Sequence, residues 1–574
     1  MAASYMRPYW RELAALSGLL LLGIVLQLVA PLIVRAFIDT ATLPGPARLH
    51  ALMGDAFLYI GIGIVTQVIA VAETYMAESV AWSTTNHLRR DVARHCLRLD
   101  LSFHHQHAPG EMIERVDGDV TVLENFFSRF VSAVIGQGLL LLGLLIVLFG
   151  IDWHVGLSLM VFTIAAIGLL NYLRGVGHPA FQAYRQARAE LLAFLDERLA
   201  ATEDIRANGA VGQALDHLHR LQRHLYHKET IALLLSSSTM WATTSLLVSI
   251  GTALTFSLGA TLFQRGAITI GTVYLIFNYT QQLMRPLGQL SDQLQDVQQA
   301  GASISRLDRI LRLRPTIQDG PGVLFPLRAL AVAFDGVYFA YCSEDAVLCD
   351  ISFHLAPGRS LGVVGRTGSG KTTLARLLLR FYDPTSGAIR LDGHDIRAAR
   401  LVDLRRRVSL VTQDVHIFHA TVRDNITVFA SDVPDEAILH ALRQLGLWEW
   451  YQQLPQGLET VLIAGGGGLS GGQAQLLALT RVFLLDPGVV ILDEASSRLD
   501  PLTERLIERA LRTVMAGRTC IIIAHRLATL RHVDDVLILR DGAVGEYGPR
   551  EDLMRSADSH SRALLQVEPG EVAI

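Results

Sequence analysis

Lysine is nearly missing from this chain: Lys228 and Lys371 stand alone among 50 basic residues. Charge as a whole is sparse, 18% against the roughly 25% usual in soluble domains. A formal net charge of -4 and a pI near 6.6 leave no global basic field, so nucleic acid is not an expected partner. Cysteine is scarce too. Cys96, Cys342, Cys349 and Cys520 form no C-x-x-C pair and no cluster with histidine at ligand spacing, which suggests neither a zinc site nor a disulfide framework and fits reduced thiols on a cytosolic face. What is abundant is apolar: 51% hydrophobic residues and a mean hydropathy of +0.34 exclude intrinsic disorder and make membrane residence the leading class. With 574 residues the chain holds several domains, not one small module.

The long apolar runs lie before about residue 290. Those at 13–34, 56–72, 130–151 and 155–170 are long enough, or nearly so, to cross about 30 Å of hydrocarbon as helices. Runs 231–263 and 268–290 are less pure. The first carries many Ser and Thr, the second Asn278, Gln281 and Gln282, which predicts helices partly facing a protein interior or a wet cavity. Six spans are expected. The first run is not read as a cleaved signal peptide, because it exceeds the roughly 7–15 residues of such an apolar core and is followed by Arg35 and Asp39 in place of an A-x-A site. Arginine sets the orientation: Arg7 and Arg11 precede the first run, and residues such as Arg89, Arg90, Arg185 and Arg223 crowd the connections 73–129 and 171–230. The short connections 39–55, 152–154 and 264–267 carry Arg48 and Arg265, so the amino terminus and the long connections are expected in the cytoplasm. Those long connections keep apolar residues at helical spacing with few Gly or Pro. The membrane helices are therefore expected to run on into the cytoplasm and to turn back near Ala108-Pro109-Gly110 and near Asn208-Gly209. A Gly/Pro-containing stretch at 319–326 marks a linker, which gives a membrane domain at 1–315, a linker at 316–330 and a second domain at 331–574.

From residue 331 short β-rich runs alternate with helical ones. The run 360–364 leads into Gly365-Arg366-Thr367-Gly368-Ser369-Gly370-Lys371-Thr372, a full phosphate-binding loop with a strand before it and a helix after. Glycine lets backbone amides approach phosphate oxygens and the helix start adds positive potential. Lys371 reaches the outer phosphates, and Thr372 offers a hydroxyl to Mg²⁺. With one of two lysines at this position, an ordinary glycine turn is a poor explanation. A second buried run, 489–492, ends in Asp493-Glu494, which supplies one carboxylate to hold Mg²⁺ and another to act on the attacking water. Together these motifs predict an ATPase or GTPase in place of a passive binder. The fold class expected is an α-helical membrane domain of six long helices followed by an α/β P-loop NTPase domain.

Leu469-Ser470-Gly471-Gly472-Gln473, ahead of Asp493-Glu494, matches the signature motif of the ATP-binding cassette (ABC) transporters. Nearly the whole chain resembles that family's exporter arrangement, in which a six-helix membrane domain precedes the nucleotide-binding domain. The resemblance implies ATP and Mg²⁺ as cofactors, with Thr373 joining the nucleotide loop and Tyr341 stacking on adenine. It further implies that Gln413 is the Q-loop residue at Mg²⁺ and the membrane interface, Asp500 the D-loop carboxylate, and His525 the switch histidine near the γ-phosphate. Ser470, Gly471 and Gly472 open a helix, so their amides form an outward-pointing anion site. In the family that site is used by a head-to-tail dimer, in which Ser470 of one chain closes over ATP held by Lys371 of the other. A second half-transporter, identical or different, is therefore an implied partner. So are the lipid bilayer of the cell membrane, with the nucleotide-binding domain on its cytoplasmic side, and a small amphipathic drug, lipid or peptide exported by alternating access. An importer on the same scaffold, and an ATP-gated channel or regulatory subunit, are the alternatives.

The chain departs from the family pattern in places. Where exporters usually carry a Glu in the stretch before the signature, this chain has Ala464. After the signature it reads Ala474-Gln475-Leu476-Leu477, and its D-loop is Ser497-Arg498-Leu499-Asp500. Such drift is compatible with a heterodimer whose other chain supplies different contacts. For the cargo, Glu73 and Glu78 follow the second run; a carboxylate at membrane depth costs roughly 2 to 3 kcal/mol, and a cationic cargo is one reason to retain it. An interfacial or packing position is the other reading. Gln67, Asn278, Gln281 and Gln282 either line a cavity or bond between helices. No N-terminal cysteine-protease domain is seen, which disfavours export coupled to leader removal.

Overall fold

The run-by-run apolar pattern resolves into a set of long helices. The computed structural model describes residues 2–42, 48–341, 345–463, 465, 468–493, 501–524 and 533–555. Contacts divide the chain into two units, residues 1–97 with 109–313 and residues 98–108 with 314–574.

The first unit contains α1 (Trp10–Thr42), α2 (Arg48–Arg98), α3 (Asp119–Phe130), α4 (Gln137–Ile151), α5 (Trp153–Ala200), α6 (Val211–Ala232), α7 (Thr239–Gln264) and α8 (Ile270–Arg312). Among the described residues five continuous helical stretches are long and apolar enough to cross a bilayer: Ser4–Thr42, Leu49–Arg98, Val134–Ile151, Trp153–Ala200 and Val211–Gln264. The sixth expected span falls on α8, whose 43 residues suffice in length but whose carboxamides and charged second half dilute its hydropathy. At 51 residues α2 is roughly 75 Å long, more than twice the hydrocarbon thickness, so it extends well beyond any bilayer. Between α5 and α6 a short helix, Thr202–Ala207, is followed by a turn at Asn208–Gly209, with Gly209 in the left-handed region at φ +65°. Another short helix, Leu101–Gln106, precedes Pro109.

Leucine pairs such as Leu144, Leu148, Leu159 and Leu275 are fully buried where α4, α5 and α8 pack. Polar side chains then fix register between these apolar rods, since lipid gives no hydrophobic drive for helix association. Tyr279 Oη of α8 donates to the Leu28 carbonyl of α1 at 2.7 Å, Thr255 and Thr280 share a hydrogen bond of 2.8 Å, and Gln281 Nε2 donates to Thr252 Oγ1 at 3.0 Å. At one end of the bundle Asp39 of α1 accepts from the Gly271 backbone N–H at 2.9 Å and from Thr269 Oγ1 at 2.8 Å, capping the start of α8. Further along, Asp119 of α3 is buried against α8. It accepts from Ser303 Oγ at 2.8 Å and from Arg306 Nε at 3.0 Å, with Arg115 Nη1 at 3.3 Å.

The second unit is α/β. Its ten strands are β1 (Val332–Ala340), β2 (Ala346–Leu355), β3 (Ser360–Gly365), β4 (Ser386–Leu391), β5 (His394–Asp395), β6 (Val408–Val411), β7 (Val489–Asp493), β8 (Thr519–Ile523), β9 (Asp535–Arg540) and β10 (Ala543–Pro549). They form an antiparallel sheet of order β2-β1-β4-β5 and a six-stranded sheet of order β10-β9-β3-β8-β7-β6, parallel except for its β10 edge. Strands β3, β7 and β8 are apolar along most of their length and buried throughout except at the carboxyl ends of β3 and β7, because both faces of a parallel sheet are covered. Helices α9 (Lys371–Leu378), α10 (Val422–Thr427), α11 (Gly471–Leu485) and α12 (Pro501–Met515) complete what the site requires. Residues 98–108 belong to this unit, where Asp100 accepts from both the backbone N–H and the hydroxyl of Thr316.

Candidate nucleotide site and membrane cavity

One sheet edge collects the motifs. Val363 of β3 pairs with Ile523 of β8, Asp493 of β7 also pairs with Ile523, and Val411 of β6 pairs with Leu492. The phosphate loop after β3, the segment holding Gln413 after β6, and Asp493 therefore leave the carboxyl ends of neighbouring parallel strands, the place where α/β sheets receive ligands.

The loop itself is shaped for an anion. A Cβ at Gly365 would lie 2.4 Å from Ser369 Oγ and 2.5 Å from the Leu539 carbonyl, so glycine is required for the close approach. Lys371, the first residue of α9, is 5% exposed and its Nζ donates to the carbonyls of Gly365 at 2.6 Å and Arg366 at 2.9 Å, curling the ammonium over its own loop. Gly370 caps that helix, and Arg366, Thr367 and Gly368 are exposed. Ser369 Oγ is buried without a hydrogen-bond partner among the described residues. An orphaned hydroxyl, a buried ammonium and a helix start in one loop fit a phosphate group.

Beside the loop stands an exposed aromatic ring. Tyr341 is 42% exposed, its hydroxyl bonds Thr373 Oγ1 at 3.1 Å and accepts from Arg376 Nη1 at 3.2 Å, and Phe339 and Tyr382 meet it edge-on at 4.8 and 5.1 Å between centroids. Held at its rim in this way, the ring leaves a face on which a base can stack. Burial, followed by the Tyr341 phenol, pushes the Tyr382 hydroxyl above its ordinary value, so this wall stays neutral.

Thr372, Gln413 and Asp493 offer a hydroxyl, a carboxamide and a carboxylate. Thr372 and Gln413 are exposed, and Asp493 is half-buried at the end of β7. Hard oxygen donors of this kind suit Mg²⁺. Among the described residues no group of three or more His, Cys, Asp or Glu assembles into a metal cluster.

The signature opens α11. Ser470 is its N-cap: Ser470 Oγ accepts from the Gln473 N–H at 3.2 Å and Gln473 Oε1 accepts from the Ser470 N–H at 2.8 Å, a reciprocal capping box that points the helix start outward with Ser470 and Gly471 exposed and Gly472 buried. Glu494, Asp500 and His525, with Ala464 and Arg498, lie outside the described residues.

Two residues of the site escaped the linear reading. Arg481, on the buried side of α11, donates from Nε to the Asn425 carbonyl at 2.7 Å and from Nη2 to the His416 carbonyl at 2.9 Å, tying the signature helix to the segment that carries Gln413. Burial holds its guanidinium below the ordinary value. Asn425 of α10 is fully buried, accepts from the Phe418 N–H at 2.9 Å and donates to the Phe418 carbonyl at 3.0 Å, folding the same segment over. Neither carries a local signal, because the partners are tens of residues away or backbone atoms.

Within the first unit a cavity of about 910 Å³ is lined by α1, α2, α4, α7 and α8. Asn278, Gln281 and Gln282 line it, one of the two readings the sequence left open, and Gln281 also fulfils the other through its bond to Thr252; Gln27, Gln137 and Thr66 join them. Gln67, Glu73 and Glu78 are not among its lining residues: Gln67 and Glu78 are exposed, and Glu73 is half-buried elsewhere on α2.

A P-loop nucleotide-binding unit joined to a polytopic helical unit is the architecture of an ATP-powered membrane pump. The family models match in that order, "ABC transporter transmembrane region" at residues 14–287 and "ABC transporter" at residues 348–497. An ATP-dependent lipid A-core flippase from Chromohalobacter salexigens is 31% identical over 98% of this chain and 97% of its own. A fatty acid ABC transporter ATP-binding/permease protein of Mycobacterium bovis is 30% identical over 84% and 76%. The solved structure of a bacterial Atm1-family ABC exporter with ATP bound superimposes with a TM-score of 0.80 at 25% identity, covering 98% of this chain and 99% of that one. This chain belongs to the ABC transporter family. It is a multi-pass membrane protein of exporter type that binds ATP and couples its hydrolysis to transport.

Proposed function

We propose that this chain is one half of an exporter that moves an amphipathic molecule, lipid-like in the manner of the cargo its relatives are named for, out of the cytoplasmic side of the cell membrane. The domain limits that go with this reading are 1–315 for the membrane domain, 316–330 for the linker and 331–574 for the nucleotide-binding domain. The observation that carries it is the joining in one chain of a phosphate loop, with its buried Lys371 and orphaned Ser369 hydroxyl, to a membrane unit that holds a carboxamide-lined cavity.

In this reading Tyr341 stacks on the adenine, and the amides of residues 365–373 with Lys371 hold the phosphates. Thr372, Gln413 and Asp493 would hold Mg²⁺, which when bound supplies charge neutralisation to the transferring phosphoryl group. Glu494 takes the proton of the attacking water, and His525 with Asp500 completes the pocket. Ser470 and the exposed start of α11 close over the nucleotide of a second half-transporter, identical or different, so ATP stabilises the closed pair through its higher affinity for that state. Product charge then weakens the pair and the membrane helices return.

The test is transport in proteoliposomes containing a fluorophore-labelled phospholipid. ATP is expected to drive its appearance in the leaflet away from the nucleotide-binding domains for the wild type and not for Lys371→Ala. Equal transport by both would overturn the reading.

A further inference from the structure

The membrane unit holds a second hollow, and it shares one wall with the first. About 490 Å³ in volume, it lies between α7 and α8 and is apolar, formed by Phe256, Ala260, Phe263, Ile270, Val273 and Phe277. Tyr274 lines both this hollow and the 910 Å³ carboxamide cavity. Its origin is in the sequence of α7. A Cβ at Gly259 would lie 2.9 Å from Val273, so glycine draws α7 onto α8, and Ala260 beside it leaves a gap between the rings of Phe256 and Phe263. Phe256 stacks on Phe277 at 5.4 Å and 17°, which keeps the ring at the edge of the gap from falling in. Phe256, Phe263 and Ile270 remain 51%, 45% and 49% exposed, so the hollow opens at the surface of the unit.

The two spaces want different chemistry. Gln282 Nε2 donates to Asn278 Oδ1 at 2.8 Å, and the further donor and acceptor capacity of these carboxamides suits a partner that offers hydrogen bonds. The hollow offers shape alone: a hydrocarbon leaving lipid for it gains close packing and no relief from water. Tyrosine, apolar in its ring and polar at its tip, suits the boundary between them.

We propose that the transported molecule is a lipid-like amphipath held astride Tyr274, with its hydrogen-bonding head among Gln27, Gln137, Asn278 and Gln282 and its hydrocarbon chain in the α7/α8 hollow, outside the cavity. This rests on the export reading given above. It places the tail in a built seat instead of in the cavity, so the cavity has only the head to accommodate.

The probe is a monoacylglycerol with a 16-carbon chain bearing a diazirine near its end, in phosphatidylcholine nanodiscs with the full-length protein. Photolabelling of the wild type, mapped by mass spectrometry, is expected on Phe256, Phe263 or Phe277 and to be displaced by unlabelled monoacylglycerol. Ala260→Trp fills the hollow and should lower that labelling, and ATP-driven movement of the labelled phospholipid in the proteoliposomes described above, about tenfold, whereas Ala260→Ser should retain both. ATP hydrolysis without probe, measured on each variant, reports intact folding. Labelling spread evenly over α1 and α2, or confined to cavity residues, would overturn the inference, as would unchanged movement by a folded Ala260→Trp. A wild type that moves no amphipath at all would instead defeat the export reading.

Discussion

At the scale of single residues, burial separates groups that act from groups that only fill space. Cys520 is 1% exposed, and burial chiefly pushes its thiol up to about 12, with Asp534 adding and Arg518 opposing. At pH 8 it stays a protonated, unreactive thiol. N-ethylmaleimide at that pH is expected to leave Cys520 unmodified in the native protein and to modify it after denaturation, as read by peptide mass spectrometry; native labelling at Cys520 would show the site to be open. Asn425 is the opposite kind of residue, fully buried and useful through its hydrogen bonds. Replacing it with Ala orphans the Phe418 amide and leaves the Phe418 carbonyl with the Ala420 N–H alone, which should cost about 1–3 kcal/mol and lower the unfolding temperature by several degrees. A thermal shift that matches the wild type would remove Asn425 from the account. The phosphate loop was legible in the sequence because its residues are consecutive. Asn425 and Arg481 were not, because their partners are main-chain atoms that any sequence supplies.

At the scale of elements, the pair of α3 and α8 is held by charge as well as by leucine. Asp119 is 2% exposed; burial alone would raise its carboxyl, but hydrogen bonds from Arg306 and Ser303 and the charges of Arg306 and Arg115 outweigh that and hold it below the usual carboxylate range. A carboxyl lower in the folded chain than in the unfolded one stabilises at pH values above about 4 and loses that contribution as pH falls through its folded value. Asp119→Asn should therefore cost on the order of 2 kcal/mol at pH 7, less than a fully buried pair because Arg306 is part exposed, and the difference from wild type should shrink as pH drops toward 3. Unfolding curves at several pH values check this, and a pH-independent difference would show that packing, not charge, is lost. The long apolar runs and the turn at Asn208–Gly209 could be read directly, since hydropathy and breakers are local. The Asp119–Arg306 pair spans 187 residues, and the grouping of residues 98–108 with the nucleotide-binding unit is likewise a long-range fact, tied by Asp100 to Thr316. The expected sixth span, read from the less pure run 268–290, falls on α8, which is too polar to be among the five described helices that qualify on composition, and its carboxamides line a cavity.

At the scale of the whole molecule, the proposed function asks binding and hydrolysis of ATP to do separate work: binding would draw two half-transporters together, and hydrolysis would release them. Removing Glu494, the proposed general base, should cost hydrolysis about 10²- to 10⁴-fold while leaving the binding parts in place. The most direct measurement is nucleotide occlusion by the Glu494→Gln protein in lipid nanodiscs, with radiolabelled ATP and Mg²⁺ followed by rapid removal of free nucleotide. The prediction is ATP, not ADP, retained on the protein with negligible turnover, and no retention when Lys371→Ala is added. Hydrolysis near the wild-type rate, or no ATP held after removal, would contradict the account.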